Sequence, residues 1–210
     1  MRIIAGRFKR RTLAAVSGSG TRPITDRAKE RLFAKLLGHF DGARVLDVFS
    51  GTGTLGLEAL SRGAVSSVFI EKDRAAFELL QSNIAKLGIE DAAFAWRADA
   101  MRCSYRPKGK ESYLPYDVIF FDPPFKDAAD LAPGGKFLRS LKQLGRDDVS
   151  SSDAILIVRL PARREMAASD IWRPDWSLDM GAMSIRVHVK QAASAQESES
   201  IDAPLDAQPE

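Results

Sequence analysis

The chain has 210 residues, 45% of them hydrophobic, and a formal net charge of +3, which is material for one sizeable core. No apolar stretch reaches bilayer-spanning length and the basic front end lacks the apolar core of a signal peptide, so a cytosolic protein is expected. With Cys103 the only cysteine and His39 and His188 the only histidines, a disulfide framework is excluded, a zinc site is disfavoured and no metal is expected.

The bases are concentrated at the front. Residues 1–35 carry ten Lys or Arg against two Asp or Glu, whereas the stretch from Gln191 to the end has five acids and no base. Arg2, Arg7, Lys9, Arg10, Arg11, Arg22, Arg27, Lys29, Arg31 and Lys35 form a cluster that suits an arm gripping phosphates, or else a solvated face. Within it, residues 3–7 and 10–14 read as two short strands of a hairpin, and residues 17–20 as a flexible connector. Thr25 or Asp26 is placed to cap a helix that turns Phe33, Leu36 and Leu37 toward the core.

Residues 45–49 read as a buried parallel strand that runs into Ser50-Gly51-Thr52-Gly53-Thr54-Leu55-Gly56, with helical character over 55–62. Gly51 and Gly53 let the backbone approach a ligand, and the helix start offers unpaired N–H groups. A second strand over 67–70 ends at Glu71, about 20 residues past the first glycine, where an acid can bind both hydroxyls of a ribose. Taken alone this is the dinucleotide fingerprint, and a nicotinamide oxidoreductase stands as a rival. Asp47 inside the strand leans the other way. A site for S-adenosylmethionine has an ammonium and a sulfonium to balance and no pyrophosphate, so an acid near the loop helps. A carboxylate that caps the loop is compatible with the same role.

Residues 74–87 show a helical stripe through Ala75, Leu79, Leu80, Ile84 and Leu87, stopped by Gly88. A strand over 93–97 ends near Asp99, which either accepts from an adenine amine or is an ordinary surface acid. Cys103 is assigned no chemistry, and the basic segment 105–113 reads as an extension of an RNA surface. The apolar run 117–121 then delivers Asp122-Pro123-Pro124-Phe125 to the end of a buried strand, where open α/β sheets bind ligands. An exocyclic amine on a nucleobase is a weak nucleophile, because its lone pair is delocalised into the ring. Asp122 and a carbonyl of Pro123-Pro124 can accept its N–H bonds, and Phe125 can stack on the base. A strand-ending turn is the plainer alternative. A helix over 136–144 and strands over 154–160, 176–179 and 183–190 complete the chain, and the polar tail is expected to be disordered.

Repeated strand and helix units imply an α/β fold with a mostly parallel sheet. Three regions are expected: a basic hairpin arm at 1–20, a catalytic domain at 21–190 and an acidic tail at 191–210.

Together, Met1-Arg2-Ile3-Ile4-Ala5-Gly6, Arg22-Pro23-Ile24-Thr25-Asp26-Arg27, Asp47-Val48-Phe49-Ser50-Gly51-Thr52-Gly53, Leu57-Glu58-Ala59-Leu60-Ser61-Arg62-Gly63 and Asp122-Pro123-Pro124-Phe125 resemble the RsmD family of bacterial small-subunit rRNA guanine-N2 methyltransferases. The resemblance covers about residues 1–190. It implies a Rossmann-like class I methyltransferase with a seven-stranded sheet and a reversed last strand, S-adenosylmethionine as donor, and a guanine of 16S rRNA, guanine 966, as target, in free rRNA or in a small-subunit particle. The implied cofactor set is Thr25, Asp26, Asp47, Phe49, Gly51, Gly53, Glu71, Lys72, Asp99 and Ala100, with Thr25 and Asp26 closing over the ligand. Asp122, Pro123, Pro124 and Phe125 would receive the base, and Arg7, Lys9, Arg10, Arg11 and Arg22 the RNA. A monomer is expected. Where the family has an aromatic residue before the glycine of the closing hairpin, this chain has Met180 before Gly181. Two further alternatives stand beside this one: a DNA adenine-N6 or cytosine-N4 methyltransferase, and a non-catalytic RNA-binding or ribosome assembly protein.

Overall fold

The computed structural model describes residues 1–16 and 24–191. The connector expected at 17–20, Arg22, and the tail from residue 192 onward lie outside the described residues. In chain order the elements are α1 (Asp26–Lys35), β1 (Arg44–Val48), α2 (Thr54–Ser61), β2 (Ser66–Glu71), α3 (Arg74–Leu87), β3 (Ala93–Arg97), β4 (Tyr116–Phe121), α4 (Phe137–Leu144), β5 (Ser150–Pro161), β6 (Trp172–Met180) and β7 (Met183–Lys190). They build one seven-stranded sheet in the order β3-β2-β1-β4-β5-β7-β6. Neighbours from β3 through β5 run parallel, while β7 is antiparallel to both β5 and β6, so the last strand is the reversed one. Helices cover both faces, and this is the Rossmann-like methyltransferase architecture.

Alternation along the strands sorts the side chains into two cores. Val45, Phe69, Phe120, Ile157 and Ile185 face α1, α2 and α3, meeting Leu32, Phe33, Leu57, Leu60 and Leu80. Leu46, Val48, Ile70, Phe121 and Val158 face α4, meeting Phe137, Leu141 and Leu144. The central strands are buried on both faces, which is why they read as continuous apolar runs. Pro174 is tolerated in β6 because that strand is an edge, and the register slips between Pro174 and Trp176. Among the described residues no helix is long and apolar enough to cross a membrane.

Several expectations need correction. Leu37 is 81% exposed, because α1 ends at Lys35 and only Leu36 turns inward. Ala75 is exposed, and the inward stripe of α3 runs through Ala76, Leu80, Asn83 and Ile84. β5 begins at Ser150, four residues early: Ser150 is buried and pairs with Tyr116, and the exposed stretch after it is a register shift before the ladder resumes at Ile155. β6 spans nine residues where four were expected.

The basic arm is not a two-stranded ladder. It is a hairpin closed by one isolated antiparallel bridge, Arg2 to Thr12, with the Ile3 N–H donating to the Arg11 carbonyl and the Leu13 N–H to the Met1 carbonyl, while the N–H groups that follow Ile3 turn elsewhere. The N–H groups of Ile4 and Ala5 donate to the Glu58 carboxylate at 2.8 and 3.1 Å. Those of Arg7 and Phe8 donate to the Ser61 carbonyl at 2.8 Å and hydroxyl at 3.0 Å. Gly6 makes the contact possible, since it sits at φ +80° and a Cβ there would lie 1.7 Å from the Ser61 carbonyl oxygen.

Lys29 does not belong to the phosphate-gripping cluster. It occupies the inward face of α1 with Ala28, Leu32 and Phe33, fully buried, and its Nζ lies 3.2 Å from Glu58. Burial lowers its pKa, and Glu58 opposes that shift. The segment 105–113 is likewise displaced from its expected role. Arg106 pairs with Asp148 ahead of β5, Tyr113 donates to the Asp91 carbonyl ahead of β3, and the Leu114 carbonyl accepts from Arg44 at the start of β1. It therefore lies at the amino edge of the sheet, opposite the ligand-binding edge.

Candidate active site

The carboxyl ends of β1, β2 and β4 meet at one edge. Between β1 and α2 the chain turns through three left-handed residues, Phe49 (φ +62°), Gly51 (φ +55°) and Gly53 (φ +85°). Gly53 has a second constraint: a Cβ there would lie 2.5 Å from Leu80 Cδ1. Phe49 accepts its uncommon backbone in exchange for edge-on packing against Phe121 and Phe137, with centroids at 5.3 and 5.7 Å.

Three acids face the same side of the sheet here. Asp47 Oδ2 accepts from the Gly56 N–H at 2.9 Å, so the start of α2 is capped from the strand and not by its own first residue. Burial pushes the Asp47 carboxyl up to about 8; the Gly56 bond opposes this, and the charges of Asp122 and Glu71 add to it. Glu71 Oε2 accepts from the Gly51 N–H at 2.8 Å and Oε1 from the Asp73 N–H at 2.7 Å, which ties the glycine loop to the end of β2. Lys72 is exposed in the next turn. Beyond β3, the Asp99 side chain accepts from the Met101 N–H at 2.9 Å, while Ala100 is buried and its carbonyl accepts from the Tyr105 hydroxyl.

The Asp122 N–H donates to the Val48 carbonyl at 3.3 Å. The glycine loop and the Asp-Pro-Pro-Phe corner are therefore adjacent, at the ends of neighbouring strands. Asp122 Oδ1 lies 2.6 Å from Arg159 Nε, and the Arg159 guanidinium sits 5.1 Å from the centroid of Phe125. Burial raises the Asp122 pKa, and the arginine opposes that shift. Pro123 is buried and Pro124 half-buried, and the Pro124 carbonyl accepts from the Asp127 N–H at 2.8 Å.

Thr25 and Asp26 come to the same edge, held by bonds of their own. Thr25 Oγ1 caps α1 through the Ala28 N–H, and Asp26 pairs with Arg2 at 2.9 Å. A groove of about 550 Å³ separates this helix start from the β6–β7 turn, with Arg27, Arg31, Asp179 and Met180 among its walls. Arg7, Lys9, Arg10 and Arg11 are exposed on the arm. The arm's turn, however, packs beside Ser61 at the far end of α2, so its bases lie along the face of the domain and not at the mouth of the site. Asn83 of α3 joins the arm to the loop: its Oδ1 accepts from the Ala14 N–H at 2.8 Å, and its Nδ2 donates to the carbonyls of Ala14 and Thr52.

Sequence reasoning missed Arg159, Asn83 and the Lys29–Glu58 pair. Arg159 left a trace, a base directly after the apolar run 154–158, and Lys29 left another in its helical phase with Leu32 and Phe33. Asn83 left none.

Asp47 offers a direct check by pH. Its raised pKa means that the native state holds a proton the unfolded state has released, so the contribution is stabilising below pH 4 and is lost as pH rises toward 8. Asp47→Asn should flatten that decline in thermal denaturation measured across pH 4–8. An identical slope in both proteins would remove the assignment.

The family model described as "Conserved hypothetical protein 95" matches residues 1–172. The chain is 42% identical to YlbH of Bacillus subtilis over 127 residues, 60% of this chain and 68% of that protein. It is 40% identical to Ribosomal RNA small subunit methyltransferase D of Escherichia coli over 126 residues, which spans 60% of this chain and 61% of the enzyme's length. The solved structure of the Escherichia coli protein yhhF superposes with a TM-score of 0.76 at 30% identity, covering 92% of this chain and 99% of that one. A match that runs from the arm into β6, with relatives at this level of identity, makes the chain a member of the RsmD family of methyltransferases.

Proposed function

We propose that the protein transfers a methyl group from S-adenosylmethionine to the exocyclic N2 of a guanine in small-subunit rRNA, with guanine 966 of 16S rRNA as the target. The observation that carries the reading is the Asp122 to Val48 hydrogen bond, which sets the Asp-Pro-Pro-Phe corner beside the glycine loop. The ligand groups fit the residues present. A buried carboxyl held near 8 at Asp47 is relieved by an ammonium, and Glu71 at the end of β2 suits ribose hydroxyls.

When bound, the cofactor supplies an electrophilic methyl group. Asp122 accepts one N–H of the guanine amine. The Pro123 carbonyl accepts the other, since that of Pro124 is engaged by Asp127. Phe125 stacks on the base. These contacts orient the nitrogen for in-line attack without a covalent enzyme intermediate, and the proton leaves after the nitrogen has gained positive charge. A paired base cannot reach the corner, so the target is flipped out or already single-stranded. An rRNA substrate suits a cytosolic enzyme.

Incubating the protein with labelled S-adenosylmethionine and small-subunit particles lacking the modification should place the label on N2 of one guanine. Label found only on DNA, or on another base, would replace this reading. The exposed arm supplies phosphate contacts, so Arg10→Glu with Arg11→Glu should weaken RNA binding. The slope of log affinity against log salt should shrink by about 1.5. An unchanged affinity and slope in filter binding would remove the arm from the interface.

A further inference from the structure

Arg159 follows Val158 on β5, whose parallel partner on β4 is Phe121, so it stands alongside Asp122. Both side chains are largely enclosed, at 12% and 14% exposure. Its Nε contacts the acid at 2.6 Å, and its guanidinium lies over the Phe125 ring at 5.1 Å. A flat guanidinium can do both at once, whereas a lysine ammonium offers the charge but not the plane. We propose that Arg159 is a positioning residue that clamps Asp122 and Phe125 together in the geometry that receives the base.

The inference rests on the reading of Asp122 to Phe125 as the acceptor corner and adds a residue to it. Besides Arg159 from β5, the charged side chains toward this edge are Asp47 from β1, Glu71 and the exposed Lys72 from the end of β2, Asp99 beyond β3, and the Asp26–Arg2 pair ahead of α1, and the one that interacts with Asp122 on the β1 side is the acid Asp47. Removing the arginine would leave a largely buried carboxyl without its counter-charge, and it would hold its proton to higher pH. A protonated Asp122 is a poorer acceptor for the guanine amine. The clamp therefore acts on shape, by holding ring and acid in register, and on charge, by keeping the acid ionised.

The test is methyl transfer to unmodified small-subunit particles from pH 6 to 9.5, for wild type, Arg159→Gln, Arg159→Lys and Asp122→Ala, with cofactor binding by calorimetry. Arg159→Gln should lower kcat about 30-fold or more at neutral pH, with KM for RNA and cofactor affinity within about threefold of wild type. Its acidic limb should move up by about one pH unit or more, so that the deficit narrows toward pH 9. Arg159→Lys should keep the limb in place and lose kcat evenly across pH. Wild-type turnover in Arg159→Gln, or a loss equal at every pH, overturns the clamp. If the glutamine variant does not fold, the lysine variant decides: unchanged kcat overturns the proposal. Asp122→Ala separates the two levels. Normal turnover there removes the acceptor corner itself, whereas a dead Asp122→Ala beside a normal Arg159→Gln removes only the clamp.

Discussion

Asp122→Ala is expected to lower methyl transfer by about 10²- to 10³-fold while leaving cofactor affinity within about threefold of wild type. In the proposed mechanism the carboxylate is the charged acceptor for the guanine amine, and losing a preorganised partner of this kind costs about 3 to 4 kcal/mol of transition-state stabilisation. The groups proposed to hold the cofactor, Asp47 and Glu71, hang on β1 and β2 and bond to Gly56 and Gly51, so they survive the change. Because the substitution also strips Arg159 of its counter-charge, Asp122→Asn serves as the companion variant. It keeps the volume and one accepting oxygen, and should be impaired less than the alanine. Single-turnover rates with saturating cofactor, next to calorimetric binding, make the comparison. Normal rates in Asp122→Ala would end the assignment of this corner to the chemistry.

The second large effect concerns stability. Glu58→Ala is expected to destabilise the protein by about 3 to 5 kcal/mol, which is roughly 6 to 20 °C in Tm for a domain of this size. The carboxylate is fully buried and holds Lys29 at 3.2 Å, Arg62 at 2.8 Å, and the N–H groups of Ile4 and Ala5. Its loss leaves an ammonium in the core and two arm donors without their partner. The pH sign follows from Lys29, whose pKa burial already lowers. Once the lysine has lost Glu58, its pKa falls further, so in the range between that value and its ordinary one the unfolded chain binds the extra proton and the variant gains stability as pH rises from neutral toward 10. Replacing both members, with Lys29→Met and Glu58→Leu, should recover part of the loss. Denaturation scans that show no deficit for Glu58→Ala would mean that the pair contributes nothing.

The sheet was legible in the sequence because its central strands are buried on both faces and stand between clear glycine and helix signals. β1, β2 and β4 fall within a residue or two of where their apolar runs place them. Edges and polar extensions were not legible. Most of β6 carries Ser, Asp, Arg and Pro, whose strand state comes from their neighbours on β7, and β5 opens with a polar stretch that shifts register before its apolar run. Of the proposed site, the glycine loop and the Asp-Pro-Pro-Phe corner stand out by residue type. What bonds to each acid did not. A sequence shows Asp122 and Arg159 as separate charges 37 positions apart, and only the parallel β4–β5 pairing makes them one unit. Lys29 was misread for a related reason: charge was counted by position along the chain, whereas its helical phase sent it inward.

The carboxamide of Asn83 spends two of its bonds on the backbone at Ala14 and one on the backbone at Thr52. Anyone who shortens the front of this protein, or fuses a bulky tag where it would displace that stretch, removes two of the three tethers from a side chain that also braces the turn ahead of α2. Loss of donor binding in such a truncated preparation would report a loosened bracket and not a missing contact with the ligand.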